Sequence, residues 1–241
     1  MISTAPSPSL ETSLDNDDNT VRLSKRVADE RPCSRREAEL YIEGGFVSVD
    51  GQLVEEVGAR VAPHQKVTVA EDATLLEIVP VTILLHKPAG TTQPLHLLNG
   101  DTLTRSAPGQ RFLKRHITGQ QELLALDAKV SGLAVFTQDF RVNRKLSDEA
   151  AKIEQEIIVE VTGQIIEGGL QQLNQINGKV SWQNETRLRF AIKNAKPGLI
   201  EKLCKEVGLK VVAMKRIRIG RISMASLPSG EWRYLQNYER F

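Results

Sequence analysis

Only two cysteines, Cys33 and Cys204, occur in 241 residues, which excludes a disulfide framework and a paired-cysteine metal site. The four histidines, at 64, 86, 96 and 116, show neither HxxxH nor HxH spacing, so metal ligation has no support. No apolar run reaches the length of a membrane span. The first residues also lack the basic start and apolar stretch of a secretory leader. These absences point to a reducing cytoplasm, with no membrane partner and no metal. Aromatics are scarce at 5%, but apolar content is ordinary at 40%, so a sizeable core is expected. The length calls for one large or two unequal domains.

Charge is small in sum and uneven in place. Residues 1–20 hold four acids and no Lys or Arg, which leaves the other 221 residues at +6 against +2 for the whole chain. That first stretch is rich in Ser, Thr, Pro and acids, and it is expected to be a disordered tail. The body is mildly basic, which is compatible with RNA.

Order is expected from Val21. Leu23 and Val27 stand four apart and suit one face of a short helix. In "CSRREAELYIEGG", Ser34 and Glu37 form a capping box, which predicts a helix over 35–43. Ala38, Tyr41 and Ile42 make its apolar stripe, and Gly44-Gly45 makes its stop. "FVSVDGQLV" alternates around Asp50-Gly51, a hairpin signal, and "KVTVA" adds a strand. A first domain over 21–70 follows, then a linker over 71–80 and a larger domain over 81–241. In the larger domain strands are predicted in "VTILLHKPAG", at 133–137, 157–161, 187–192, 210–220 and 232–235. Helices are predicted near 140–150, 167–175 and 197–207. Many β runs broken by short helices, without regular alternation, give an α+β class on a mixed, mostly antiparallel sheet.

Arg31, Ser34, Arg35 and Arg36 gather at the start of the predicted helix over 35–43. Exposed guanidiniums beside free helix-start amides make a phosphate site; a solvated surface cluster is the other reading. Between Arg105 and His116, four Lys/Arg and no acid mark either a basic loop by a ligand groove, with Arg111, Lys114 and Arg115, or a solvated loop. Lys87 ends a strand at a Lys-Pro-x-Gly turn. Asp127 is the one acid between Leu123 and Gln138, read either as a turn-starting aspartate or as a catalytic carboxylate. Ser131 and Gly132 shape the turn after it, Trp232 suits packing, and Cys204 suits the core.

"RLSKRVA…CSRREAELYIEGGFVSVDGQLV" resembles the small RNA-binding domain shared by a small-subunit ribosomal protein, tyrosyl-tRNA synthetases and several RNA modifiers. "LLHKPAG", "ALDAKVSGL" and "KRIRIGRISMASLPSGEWRYL" resemble, in order and spacing, motifs of the rRNA pseudouridine synthases of the RsuA/RluF group. The resemblance covers about nine-tenths of the chain. It implies a cofactor-free isomerase, expected to be a monomer acting on RNA, ribosomal RNA first. Such an enzyme detaches uracil from ribose, turns it and rejoins it through carbon. Asp127 falls on the catalytic aspartate, and the family's first-domain helix start contacts RNA. Lys87 lines the family's cleft.

The chain departs from that pattern at three places. The Gly-Arg before Leu-Asp is here Leu124-Ala125. The stacking tyrosine is replaced by Ile157. The Asn-Arg-Gln-Ile-Arg-Arg helix start, source of the basic partner, becomes "KPGLIEKLCKEVG". Replacement counter-ions for Asp127 are then sought in Lys202 and Arg216, with Lys215 and Lys129 behind them; Phe112 and Trp182 are candidates to stack. Two readings follow. One is an isomerase working through Asp127. The other is a catalytically degenerate RNA-binding factor that uses Arg35, Arg36 and the basic run near 202–221.

Overall fold

The computed structural model describes residues 19–75, 79–104, 112–176 and 178–241. The expected tail lies almost wholly outside them, as does Arg111. The chain divides into two compact units, one up to residue 78 and the other from 79 onward.

In the first unit, β1 (Val21–Arg22) leads directly into α1 (Leu23–Glu30), and α2 (Arg35–Glu43) follows. Ser34 caps α2 as its sequence predicts. Its Oγ accepts from the Glu37 amide at 3.2 Å, and its own amide donates to the Glu37 carboxylate at 2.7 Å. Then come β2 (Val47–Val49), β3 (Gln52–Leu53), β4 (Arg60–Val61) and β5 (Val67–Val69). Asp50 and Gly51 turn the β2–β3 hairpin with φ of 51° and 80°, the left-handed pair such a turn demands. Strands β3, β2 and β5 form one antiparallel sheet, and β1 pairs with β4. Leu23 and Val27 of α1, Ala38, Tyr41 and Ile42 of α2, and Val47 of β2 share one buried cluster. The apolar stripe read from the sequence is therefore the core face.

The second unit is built on a larger sheet from β6 (Thr82–Lys87), β7 (Gln121–Leu123), β8 (Ser131–Thr137), β9 (Glu154–Gly163), β10 (Gly178–Asn184), β11 (Arg187–Lys193), β12 (Leu209–Ile219), β13 (Ile222–Ser223) and β14 (Trp232–Tyr234). Their order is β10-β11-β9-β12-β8-β6-β14, with β13 on β12 and β7 on β8. Every pairing is antiparallel except β12 with β8, so the α+β class with a mixed, mostly antiparallel sheet holds. Helices α3 (Phe140–Asp148), α4 (Gly169–Leu173) and α5 (Leu199–Glu206) complete the unit; Asp139 caps α3 by accepting from the Arg141 amide at 2.7 Å. Cys204 of α5 and Leu173 of α4 are fully buried in the cluster that also holds Ile157 and Val159 of β9. Trp232 is fully buried as well, its Nε1 donating to the Asn99 carbonyl at 2.9 Å. Among the described residues, no helix is long and apolar enough to cross a membrane.

Strand β9 has two unlike faces, as its period of two requires. Ile157 and Val159 point into the core. On the other face Glu154 and Glu156 meet Arg218 at 2.5 Å, and Glu156 meets Arg189 at 2.6 Å. The parallel contact of β8 with β12 is closer than a side chain permits. Gly132 has φ +112°, and a Cβ there would lie 2.2 Å from the Arg216 carbonyl oxygen. We expect Gly132→Ala to lower the melting temperature of the second unit by roughly 10 °C, since backbone incompatibility costs several kcal/mol. Differential scanning calorimetry checks this. An unshifted transition would mean that the strands part without penalty.

Candidate active site

Asp127 lies in the loop between β7 and β8, where its carbonyl accepts from the Val130 amide at 3.0 Å. The turn predicted for this aspartate is thus real, and the side chain is nevertheless exposed and lines a cleft. Among the described residues its carboxylate has no hydrogen bond or ion pair.

Lys87 holds the loop from beneath. It is 1% exposed, and its Nζ donates to the carbonyls of Asp127 at 3.1 Å, Ala128 at 3.2 Å and Val130 at 2.8 Å. Burial lowers its pKa, with Glu122 and Asp127 opposing the shift. The resemblance expects Lys87 to line the cleft and contact RNA; instead its ammonium is enclosed by carbonyls and braces the Asp127 loop.

Arg216 of β12 is the second buried cation, at 2% exposure. A register shift between Arg216 and Arg218 breaks the β12–β9 ladder at this point, and such irregularities re-aim side chains. Its Nε donates to the Leu133 carbonyl at 2.8 Å. Its Nη1 donates to the Leu124 carbonyl at 2.7 Å and to Gln155 Oε1 at 2.9 Å. Leu124 adopts φ 50°, a left-handed conformation costing about 1 kcal/mol outside glycine. Nη2 is buried with no hydrogen-bond partner among the described residues, an arrangement costing on the order of 1–3 kcal/mol. Burial pushes the guanidinium down to about 9, with Glu122 opposing, so it stays charged at neutral pH.

Asp127 and Arg216 line the same cleft. Ile157, Ile200 and Met214 supply its apolar walls, and Lys196 stands at its rim. The cleft is narrow, with about 50 Å³ of room for water, enough for a few molecules. Of the expected counter-ions, Arg216 alone lines it among the described residues. Lys202 is corrected: its side chain is 74% exposed and pairs with Glu206 on its own helix. Neither Phe112 nor Trp182 lines the cleft; Phe112 packs on Trp232, ring centroids 5.9 Å apart. Lys114 and Arg115 lie in a short turn, Lys114–His116, outside the cleft lining.

In the first unit, Arg35 lines a groove with Arg22, Lys25 and Arg60, against the single acid Asp29. Arg36 does not line it; it reaches Glu39 at 3.8 Å, while Arg35 meets the same carboxylate group at 3.2 Å. Arg31 sits 5.0 Å above the Tyr41 ring, and Ser34 is engaged in its capping box.

Sequence reasoning missed Lys196, Gln155 and the groove partners of Arg35. Lys196 stands two residues before the Gly198 cap of α5, upstream of where an arginine was sought. Gln155 was legible by period two, since it shares a face of β9 with Ile157.

The S4 domain family matches residues 21–67. Over its length the chain is similar to the dual-specificity RNA pseudouridine synthase RluF of Escherichia coli K12, at 29% identity across 92% of this chain and 78% of that one. An uncharacterized RNA pseudouridine synthase of Mycobacterium tuberculosis H37Rv is 26% identical across 91% of each chain. A crystal structure of a pseudouridylate synthase superposes with a TM-score of 0.54 at 17% identity, over 90% of this chain and 96% of that one, a likeness of fold.

Removing the Lys87 ammonium leaves three loop carbonyls without their donor. We expect Lys87→Met to speed amide hydrogen exchange over residues 126–131 and to lower unfolding free energy by about 2 kcal/mol. Unchanged exchange there would mean that the loop is held by something else.

Proposed function

We propose that the chain is an RNA pseudouridine synthase of the RsuA/RluF type, with an S4 domain over residues 21–67, and that it isomerises uridine to pseudouridine in a structured RNA, ribosomal RNA in the first instance. The observation that carries this reading is the pairing of unsatisfied groups in one cleft. Asp127, an exposed carboxylate with no partner among the described residues, shares it with Arg216, a buried arginine whose enclosed Nη2 has no partner among them either.

The chemistry assigns their tasks. The target nucleotide leaves its stack, at a cost of a few kcal/mol. Asp127 then acts at the ribose, as nucleophile or as base, while the bond from C1′ to N1 of uracil breaks. The base turns and C5 bonds to C1′, as any ester to Asp127 breaks or any proton it took from the ribose returns; the proton on C5 is lost and N1 gains one, so the product is an isomer of the substrate. No redox change occurs, so the chain's own side chains are sufficient in kind. Arg216 supports the ionised carboxylate and the negative charge that develops on the departing base. Lys196 at the rim meets the adjoining phosphate.

Ile157, Ile200 and Met214 replace the family's aromatic stack with aliphatic contact. A lost stacking ring typically weakens base binding by about 1–3 kcal/mol, which slows this enzyme without abolishing its mechanism. The S4 domain supplies sequence-independent grip, through the Arg22, Lys25, Arg35 and Arg60 groove on RNA phosphates.

The test is release of tritium from ribosomal RNA labelled at C5 of uridine. We expect Asp127→Asn to reduce release by at least about a thousandfold, with retained filter binding that falls steeply as salt rises. Equal release by wild type and variant would remove Asp127 from the chemistry. Binding without any release by the wild type would leave an RNA-binding factor in place of an enzyme.

A further inference from the structure

Gln155 is the one buried polar side chain of the cleft that the isomerisation leaves without a task. It is the second residue of β9, 4% exposed, on the face that carries Ile157. Its Oε1 accepts from Arg216 Nη1 at 2.9 Å. That contact fixes which way round the amide stands, because a guanidinium only donates. Turning the amide over would set donor against donor. Arg216 cannot swing to follow, since its Nε and Nη1 are tied to the Leu133 and Leu124 carbonyls. Nε2 of Gln155 is therefore held away from the guanidinium, and among the described residues no hydrogen-bond partner takes it up. A donor of fixed direction thus lines a cleft walled by aliphatic side chains.

We propose that Gln155 is the residue that selects uracil over cytosine, its Nε2 donating to the carbonyl at position 4 of the base. This rests on the reading of the cleft as the place where the extruded base is received. Uracil offers an acceptor at that position. Cytosine offers an amino group, which would leave two donors opposed and both unpaired away from water. A site that pairs a polar group rejects the analogue that cannot complete the bond far more strongly than an apolar wall does. The aliphatic side chains around the cleft hold either pyrimidine equally, so discrimination falls to the amide.

The test titrates the full-length protein with pentauridylate and with pentacytidylate, probes equal in length and charge. The Gln155 side-chain amide and the Met214 methyl are followed by NMR, the amide assigned by its loss in Gln155→Met. We expect both signals to move with pentauridylate at about tenfold lower concentration than with pentacytidylate. In Gln155→Met, and separately in Gln155→Glu, which keeps a partner for Arg216 but offers no donor, the two probes should shift Met214 within about twofold of each other. Equal response of Met214 to both probes in the wild type overturns the selection by Gln155 and leaves the cleft as a base site. A Met214 signal unmoved by either probe, while resonances of the first unit shift, overturns the base-receiving cleft itself.

Discussion

A guanidinium taken out of water must be answered on every nitrogen, and much of the second unit is arranged around answering Arg216. It reaches β8 through Leu133, the loop after β7 through Leu124, and β9 through Gln155. Two backbone features permit this. Gly132 lets β8 run against the Arg216 backbone, and Leu124 turns its carbonyl inward at a left-handed φ. Three separate segments are thereby fixed relative to one charge. The nitrogen left over is enclosed without a hydrogen-bond partner among the described residues, the kind of exception that marks a functional site more often than a structural one.

The loop of Asp127 is anchored differently. Its backbone is tied down by Lys87 while its carboxylate is left without a partner among the described residues. Rigid support under an exposed reactive group is what positioning at a reacting atom requires. Strand β9 continues the same division of labour. One face contributes Gln155 and Ile157 to the cleft, and the other carries the Glu154, Glu156, Arg218 and Arg189 pairs. The ion pairs of this strand are thereby kept off the face that lines the cleft.

Much of this was legible from residue order. The Ser34 capping box, the Asp50-Gly51 hairpin and the strand after Asp127 follow from local rules, and local rules act over a few residues; β7 before it, only Gln121–Leu123, is too short to leave a pattern. Residue order shows Lys87 as the end of a strand at a turn and, by resemblance, as a cleft residue, but not its burial; only the convergence of carbonyls some forty residues downstream makes that burial tolerable. Lys202 was sought as a counter-ion because it stands where a motif should end, but the helix turns it to solvent. Arg216 was picked from a basic run without any hint of which nitrogen would remain open. Gln155 carried a signal, since it alternates with Ile157, yet a glutamine in a strand names no partner by itself. For Lys87, Arg216 and Gln155 the deciding contact joins residues far apart in the chain; for Lys202 it is a helix neighbour four residues on.

That separation has a consequence for how the molecule comes into being. The first unit closes its core from residues that leave the ribosome early, and domains generally fold in the order of their synthesis. The bonds of Arg216 span 61, 83 and 92 positions, and β12 is among the last strands translated. A nascent or prematurely terminated polypeptide therefore acquires the basic groove well before any cleft exists. If the chain works as proposed above, such a fragment would hold RNA without the means to modify it, and a truncation late in the chain would act as an inhibitor of its intact siblings.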